Sequence, residues 1–565
     1  MKKENLISGG EAVIKSLIDL GVKVIFGIPG GAILPTYDAL YNFSKKIHHV
    51  LTRHEQGAIH AAEGYAKSTG KVGVCFATSG PGATNLVTGI TSCMMDSVPV
   101  VCITGQVAKS VIGTDAFQEA DIIGITVPIT KWNYQITEAK EIPQIIAKAF
   151  YLASTGRPGP VLLDLPRDVQ TEKLNYYFPK KINVEGYSPN LIPNIKQIKM
   201  AATLLNEAKK PLILAGRGVL ISRASKELIL LAKKGSFPVV TTLLGISSIP
   251  SDHSLFVGMV GMHGNYAPNI LIQEADVILA VGMRFDDRVT GKLSEFALNS
   301  KIIHIDIDPA ELNKNVKAKI PIVGDAKISL KELIKYVKKR NLSSWLSKFK
   351  KLRKIEEEKV IKKMIFPKGK FPTMPQTVHI LSKLTKGKAI IVSDVGQNQM
   401  IPPRYYNFQI PCSYISSGGL APMGFGLPAA IGAKIGNKNR EVVAVLGDGG
   451  FQMTIQELAV INQENLPLKI IVFNNSYLGM VRQWQELFYQ RRYSQTFLAN
   501  PDFLKIVEGY GIEGERVEKK EQVEKALKRL VKSKKAYFVE VVIDPEEKVF
   551  PMVPPGAPIS QMRFE

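Results

Sequence analysis

Thiol and indole side chains are scarce in this chain, with four cysteines and three tryptophans among 565 residues. Cys75, Cys93, Cys102 and Cys412 form no C-x-x-C pair, and three of them lie in apolar stretches. That excludes a disulfide framework and a cysteine-built zinc site, and it suits a reducing compartment. No apolar run approaches the roughly 18 residues of a membrane span, and Met1 to Gly10 lacks the apolar core of a leader, so a cytoplasmic protein is expected. Acidic residues are also in deficit, 50 against 73 Lys and Arg, for a net charge of +23. The excess is carried by Lys-rich helical segments such as Ser347 to Lys354 and Lys519 to Lys535. These lack the interleaved aromatics of a nucleic-acid surface and read as solvated faces that also suit small anionic substrates.

What is present is alternation. Short β-rich apolar runs, at Val22 to Gly27, Val72 to Ala77 and Val98 to Thr104, are separated by helical patterns such as His54 to Thr69. The alternation pauses at the polar stretch Lys180 to Pro193. It resumes with runs at Pro211 to Ala215, Pro238 to Thr242, Ala275 to Val281 and Ile302 to Asp306. A basic helix plus linker covers Ser343 to Pro375. The last runs are Ala389 to Ser393, Glu441 to Leu446, Leu468 to Phe473 and Ala536 to Ile543. This pattern predicts an α/β chain of three successive doubly wound parallel-sheet domains, 1–185, 190–345 and 376–565, with 346–375 as linker.

The most specific motif is Gly447-Asp-Gly449, followed after 24 residues (450–473) by Asn474-Asn475. Each end follows an apolar strand, and in an open parallel sheet ligands bind beyond the carboxyl ends of strands. Asp448 supplies a hard anionic oxygen and Asn475 a neutral one, a combination that magnesium favours together with phosphates and water. A lone Gly-Asp-Gly turn would carry little; the spacing and the two strand ends carry the inference. This pattern resembles the thiamin-diphosphate motif of the decarboxylase and carboligase superfamily. The resemblance implies metal ligands at Asp448, Asn475 and the main-chain carbonyl of Tyr477. It also implies a second diphosphate loop at Val395, Gly396, Gln397 and Asn398, and Met423 as the prop under a bent cofactor.

A proton must leave the C2 carbon of that cofactor, and the superfamily uses a glutamate against the pyrimidine ring. The segment RHEQGAIHAAEG, Arg53 to Gly64, places Glu55 in that position, with Pro81 and Asn85 in the following TSGPGATN run (Thr78 to Asn85) as cofactor contacts. An ordinary Glu beginning a helix would only favour the positive end of the dipole. Glu63 reads as a packing or interface residue.

The rest of the chain is similar to the acetohydroxyacid synthase family of this superfamily, over about residues 4–560. That resemblance implies an FAD-binding central domain contacting the flavin through Arg157, Gly216, Gly218, Thr242, Leu243, Gly261, Met262, His263, Gly282, Arg284, Asp286, Arg288, Asp306, Ile307 and Asp325. It implies an active-site loop carrying Phe117 and Gln118, and a helix after Asn475 carrying Met480 and Trp484. By composition alone the Met480, Val481 and Trp484 stripe would be core. The chain departs from the family at Ala421-Pro422, where a Gly-small pair is usual, at Arg167, and at Met400 to Pro403.

The activity so implied joins two 2-ketoacids with loss of carbon dioxide. The hydroxyethyl group of pyruvate passes to a second pyruvate or to 2-ketobutyrate, giving 2-acetolactate or 2-aceto-2-hydroxybutyrate, the first common step toward valine, leucine and isoleucine. Arg288 would anchor the acceptor carboxylate and Trp484 favour its ethyl group. The implied cofactors are thiamin diphosphate, Mg2+ and FAD. The implied partners are the two ketoacids and further copies of the chain, as a homodimer or higher oligomer with shared sites. A small regulatory subunit is a partner the sequence does not decide; nucleic acid and membrane are not expected. The rival readings are a flavin-dependent pyruvate oxidase, a pyruvate-only catabolic acetolactate synthase and a glyoxylate carboligase, the last opposed by Glu55.

Overall fold

The computed structural model describes residues 6–565 and arranges them around three six-stranded sheets, each parallel throughout. The composition of the strands explains the parallel pairing. Pro160–Pro166 is buried at all seven positions and Val442–Gly447 at five of six, so both faces of each sheet are covered by helices.

In the first sheet the spatial order is His48–Leu51, Val24–Gly27, Gly73–Ala77, Val100–Gln106, Pro160–Pro166 and Trp132–Gln135. The third sheet runs Tyr414–Ile415, Ile390–Ser393, Val442–Gly447, Lys469–Asn474, Tyr537–Val542 and Glu513–Val517. Numbered along the chain, both have the order 2-1-3-4-6-5. The middle sheet is different. Phe256–Met259, Val239–Thr241, Pro211–Ala215, Val277–Val281, Lys301–Asp306 and Ile320–Val323 give 3-2-1-4-5-6. The order reverses beside Ile390–Ser393 in the third sheet and beside Pro211–Ala215 in the middle one. A crevice for ligands opens at such a point.

The first and third units share one hydrophobic core. Its centre is the crossing of two helices rich in small residues, Glu55–Thr69 and Gly426–Gly436. A Cβ on Gly64 would run into the carbonyl of Ala429, and one on Gly432 into that of Ala61, so both positions require glycine for backbones to touch. Beside the crossing, Lys67 Nζ lies 2.7 Å from Glu63 and 2.8 Å from Asp96, and all three side chains are fully buried. Burial opposes ionisation of Glu63, but Lys67 and His60 outweigh it and hold the carboxyl at about 2. Asp96 in turn accepts the N–H groups of Gly418 and Gly419 at 3.0 and 2.8 Å. Glu63 is thus a packing residue within the first unit, holding Lys67, which with Asp96 reaches the third unit at Ser416, Gly418 and Gly419.

The basic segment after the middle sheet is mostly helical, Ser343–Glu356 followed by a π turn and Lys362–Ile365, and Trp345 and Phe349 anchor it in the middle core. The Lys-rich Val523–Lys532 helix buries Val523, Ala526, Leu527 and Leu530 and turns its lysines outward, as a solvated face should. Cys75, Cys93 and Cys102 are buried free thiols, and Cys412 is half-buried. Among the described residues no helix is long and apolar enough to cross a membrane.

Candidate active site

A cavity of about 510 Å³ runs from the carboxyl ends of the third sheet to those of the middle sheet. Its first end is lined by Val395, Gly396, Gln397, Asn398, Met423, Gly447, Asp448, Gly449, Asn475, Tyr477 and Met480. Strand pairing brings these loops together. Ser393 lies opposite Val445 and Gly447 opposite Phe473, so the Asp394, Asp448 and Asn475 loops leave the sheet at one level.

The Asp448 carboxylate accepts the Gly449 N–H at 3.0 Å, the Ser476 N–H at 2.8 Å and Asn500 Nδ2 at 2.8 Å. A carboxylate offers about four lone-pair positions, so one remains for a cation. Burial pushes the carboxyl up to about 6, against the pull of Asn500 and the two N–H groups. Asn475 Nδ2 donates to Gln397 Oε1 at 3.3 Å, and its Oδ1 accepts from the Tyr477 N–H at 3.0 Å. Among the described residues no three His, Cys, Asp or Glu side chains gather to hold a metal. The oxygen set of Asp448, Asn475 and the Tyr477 carbonyl, with its single anion, suits a hard ion that keeps its waters and phosphates.

Two supports of this end act through contacts that no motif spacing shows. Asn500 reaches Asp448 from a loop 52 residues away and also donates to Asn474 Oδ1 at 2.9 Å. Asp394 is fully buried and accepts the N–H groups of Gly424 and Gly426, both at 3.1 Å, which folds the Met423 turn over the cavity. A buried Asp beginning a loop was visible as the first letter of Asp394-Val-Gly-Gln-Asn398, but its partners were not.

The opposite end of the cavity is lined by Arg157, Gly218, Thr242, Leu243, Gly261, Met262, His263, Gly282, Arg284, Asp286, Arg288, Asp306, Ile307 and Asp325. Gly216 stands behind this wall against Gly282 and Met283, and Arg217 lines the cavity in its place. Several of these side chains have local duties. Asp286 and Asp325 cap helices at Val289 and Ile328, while Arg157 binds Asp308 and Glu311 at 3.1 and 2.7 Å. Asp306 is pushed up to about 6 by burial. His263 is drawn down to about 3 by burial and by Arg404 and Arg288, and its buried Nδ1 has no partner.

Met480, Val481 and Trp484 also line the cavity, so this stripe is not core; the buried residues of the Gly479–Phe488 helix are Arg482 and Gln483. The Trp484 indole Nε1 is buried without a partner. Unpartnered buried polar groups are costly, and this one faces the cavity lining, where an occupant could meet it.

Glu55, Pro81, Asn85, Phe117 and Gln118 gather elsewhere. Asn85 Nδ2 donates to Glu55 Oε2 at 2.9 Å, and the Gln118 carbonyl lies against Gly80. None of the five lines the cavity around Asp448, and Phe117 is 88% exposed.

One departure from the family pattern has a measurable consequence. Ala421 lines the cavity with φ +57°, a conformation that glycine adopts freely and alanine does not. Ala421→Gly is expected to stabilise the fold by about 0.5–1 kcal/mol, read as a higher urea midpoint at unchanged m-value. A lower midpoint would mean that the alanine methyl contributes more by packing than its backbone costs.

The three units match three sequence profiles in chain order. Residues 7–125 match the thiamine pyrophosphate enzyme N-terminal TPP binding domain, 198–333 the central domain and 394–541 the C-terminal TPP binding domain. Fold, loop placement and profiles together define a thiamin-diphosphate enzyme. Full-length relatives narrow this. The chain is 48% identical to a probable acetolactate synthase large subunit of Methanocaldococcus jannaschii, over 98% of this chain and 95% of that one. It is 47% identical to the acetolactate synthase large subunit of Buchnera aphidicola subsp. Schizaphis graminum, over 99% and 98%. With that of Corynebacterium glutamicum it shares 46%, over 99% and 90%. The chain belongs to the acetolactate synthase large-subunit family.

Proposed function

We propose that this chain catalyses acetohydroxyacid synthesis: it decarboxylates pyruvate and passes the hydroxyethyl group to a second 2-ketoacid, opening branched-chain amino acid biosynthesis. The observation that carries the reading is the single cavity that joins the Asp448 and Asn475 loops to a wall bearing Arg288 and Trp484.

Thiamin diphosphate supplies, when bound, an acidic carbon whose conjugate base adds to the ketoacid carbonyl and takes up the electrons freed by decarboxylation. The residues present fit it. Asp448, Asn475 and the Tyr477 carbonyl would hold Mg2+ between chain and diphosphate, and Val395 to Asn398, Gly447 and Gly449 would line the diphosphate. Met423 and Met480 would lie along the body of the cofactor. Glu55 would hold a proton for the pyrimidine ring, oriented by Asn85, with Pro81 beside it. Phe117 and Gln118 would close over the reacting atoms. Arg288 would pair with the acceptor carboxylate, and the Trp484 indole would meet its ethyl group, where one methylene is worth ~1–3 kcal/mol in a close-fitting pocket.

FAD is the fitting occupant of the middle sheet. In support stand the 3-2-1-4-5-6 strand order, a form that dinucleotides use, and the close approach of Gly218 to Gly282 at its crevice. The unpartnered His263 Nδ1 supports it as well. The flavin would bind without net redox duty.

The separation of the Glu55 cluster from the Asp448 cavity supports a site completed by a second copy, as a two-fold homodimer or larger assembly would provide. The "large subunit" names of the relatives support a smaller regulatory partner. Free buried thiols support a cytoplasmic setting.

The deciding experiment incubates the chain with thiamin diphosphate, Mg2+, FAD, pyruvate and 2-ketobutyrate. Carbon dioxide, 2-acetolactate and 2-aceto-2-hydroxybutyrate are the expected products, with the flavin oxidised throughout. Flavin reduction with no condensation product would overturn the reading in favour of an oxidase.

A further inference from the structure

Glu55 is the first residue of the Glu55–Thr69 helix, so whatever fixes that first turn fixes its carboxylate. The leading N–H groups of a helix have no partners within it. Here two side chains hold the start of the helix, one on such an N–H and one on the amide just before the capping residue His54. His54 Nδ1 accepts the Gln56 N–H at 3.0 Å. The other acceptor comes from the third sheet's unit, 404 residues along the chain: Glu457 receives the Arg53 N–H at 3.1 Å on Oε1 and 3.3 Å on Oε2.

Glu457 ends the Ile455–Glu457 turn downstream of Gly447-Asp-Gly449 and is fully buried. Space for it is made from the other side. A Cβ on Gly57 would run into Glu457 Oε1, so the first turn is glycine where the carboxylate enters. A buried carboxylate from another unit is thus aimed at the positive end of the helix that begins with Glu55. Burial pushes Glu457 up to about 7, while the Arg53 and His54 N–H groups and the Arg53 charge draw it down and Glu55 raises it. The Arg53 guanidinium itself points away, to the Leu51 carbonyl and Gln463.

We propose that Glu457 is a positioning residue for Glu55, clamping from the third unit the turn that aims the Glu55 carboxylate at the pyrimidine ring. The proposal rests on the role given to Glu55 above. It assigns Glu457 no contact with substrate or cofactor. Its effect is on the rate at which the cofactor C2 proton leaves, and not on the affinity for pyruvate.

The test compares holoenzymes carrying Glu457→Ala, Glu457→Gln, Gly57→Ala and Glu55→Gln. Three readouts are the exchange of the bound thiamin diphosphate C2 proton with deuterium, amide exchange in residues 51–57, and kcat and KM for pyruvate. In Glu457→Ala the Arg53 amide should exchange at least ~10-fold faster. C2 exchange should slow by about 10–100-fold, with KM within about threefold of wild type. Glu457→Gln keeps an acceptor oxygen and should recover most of the C2 rate. Gly57→Ala displaces the carboxylate without removing it and should resemble Glu457→Ala.

Wild-type C2 exchange in Glu457→Ala overturns the proposal, and so does a Gln variant as slow as the Ala one. If Glu457→Ala does not fold, the Gln and Gly57 variants decide, and wild-type C2 exchange in Gly57→Ala overturns it. Failure of the two readings is separable. Fast C2 exchange in Glu55→Gln removes the role of Glu55 itself, whereas slow exchange there with fast exchange in Glu457→Ala removes only the clamp.

Discussion

Glu55→Gln is expected to fold, to bind thiamin diphosphate within a few-fold of wild type, and to turn over at least ~100-fold more slowly, the usual span for a lost proton-transfer group. The substitution is conservative in every respect but one. Glutamine fills the same volume, and its carbonyl oxygen can still accept the hydrogen bond that Asn85 Nδ2 gives to Glu55 Oε2 at 2.9 Å. The helix crossing that packs this unit on the third sheet lies further along, at Gly64 and Ala61, and is untouched. What the amide cannot do is hold and return a proton. The loss should therefore fall on kcat, with KM for pyruvate nearly constant, because an interaction made only on the way to the transition state is the one removed. Near-normal turnover at saturating cofactor would strip Glu55 of its role and leave it as a helix-initiating residue.

The parts of this architecture legible from sequence were those that physics writes locally. Strands buried on both faces must be apolar runs, so Gly73–Ala77, Val277–Val281 and Val442–Gly447 stood out. Edge strands have no such requirement. Trp132–Gln135 is half-exposed throughout, Glu513–Val517 begins with two exposed residues, and Tyr414–Ile415 is two residues long, so none gave a pattern. The interval after Gly447-Asp-Gly449 reads as one helix from Thr454 to Asn465. The chain forms a continuous helical segment there, a 3-10 turn Ile455–Glu457 running directly into Leu458–Gln463, with a further short helix Asp448–Met453 before it that the pattern did not show. Glu457 lies where the 3-10 turn passes into the α-helix, and from there its carboxylate meets the Arg53 N–H. Motif residues on the Asp448 side were readable because backbone loops at neighbouring strand ends come together by register alone. The long-range holders, Asn500 on Asp448 and Glu457 on the turn before Glu55, come from loops whose path depends on tertiary packing, which no spacing encodes. The Met480, Val481 and Trp484 stripe shows the same limit in reverse. Its periodicity marks a helix face correctly but does not say whether that face meets protein or ligand.

Asp448→Asn is expected to lower retention of thiamin diphosphate by at least ~100-fold, since removing even an outer support of a metal ligand typically costs 10–100-fold and this change removes the ligand's charge. Asparagine is the better probe than alanine. Asp448 is 3% exposed and accepts three hydrogen bonds, from Gly449, Ser476 and Asn500, and leaving those donors buried and unpaired would cost about 1–3 kcal/mol each. An amide keeps the shape and one acceptor oxygen while taking away the only formal anion among the proposed protein ligands. Flavin binding should survive, because the middle-sheet end of the cavity is built from other strands, and an FAD titration of the same preparation checks this. Thiamin diphosphate held at wild-type affinity would refute the metal assignment. The variant also tests the assembly. Glu55 and its neighbours stand apart from the Asp448 cavity of their own chain, so each site would draw Glu55 from one copy and Asp448 from another. Mixing inactive Glu55→Gln with inactive Asp448→Asn subunits then places both lesions in one site of each mixed dimer and neither in the other. About a quarter of wild-type activity should return on random pairing, since half the dimers are mixed and half their sites intact, as two-fold symmetry dictates. No recovery from demonstrated mixed dimers would mean that each site is built within one chain, and that Glu55 must reach Asp448 by a rearrangement of its own unit.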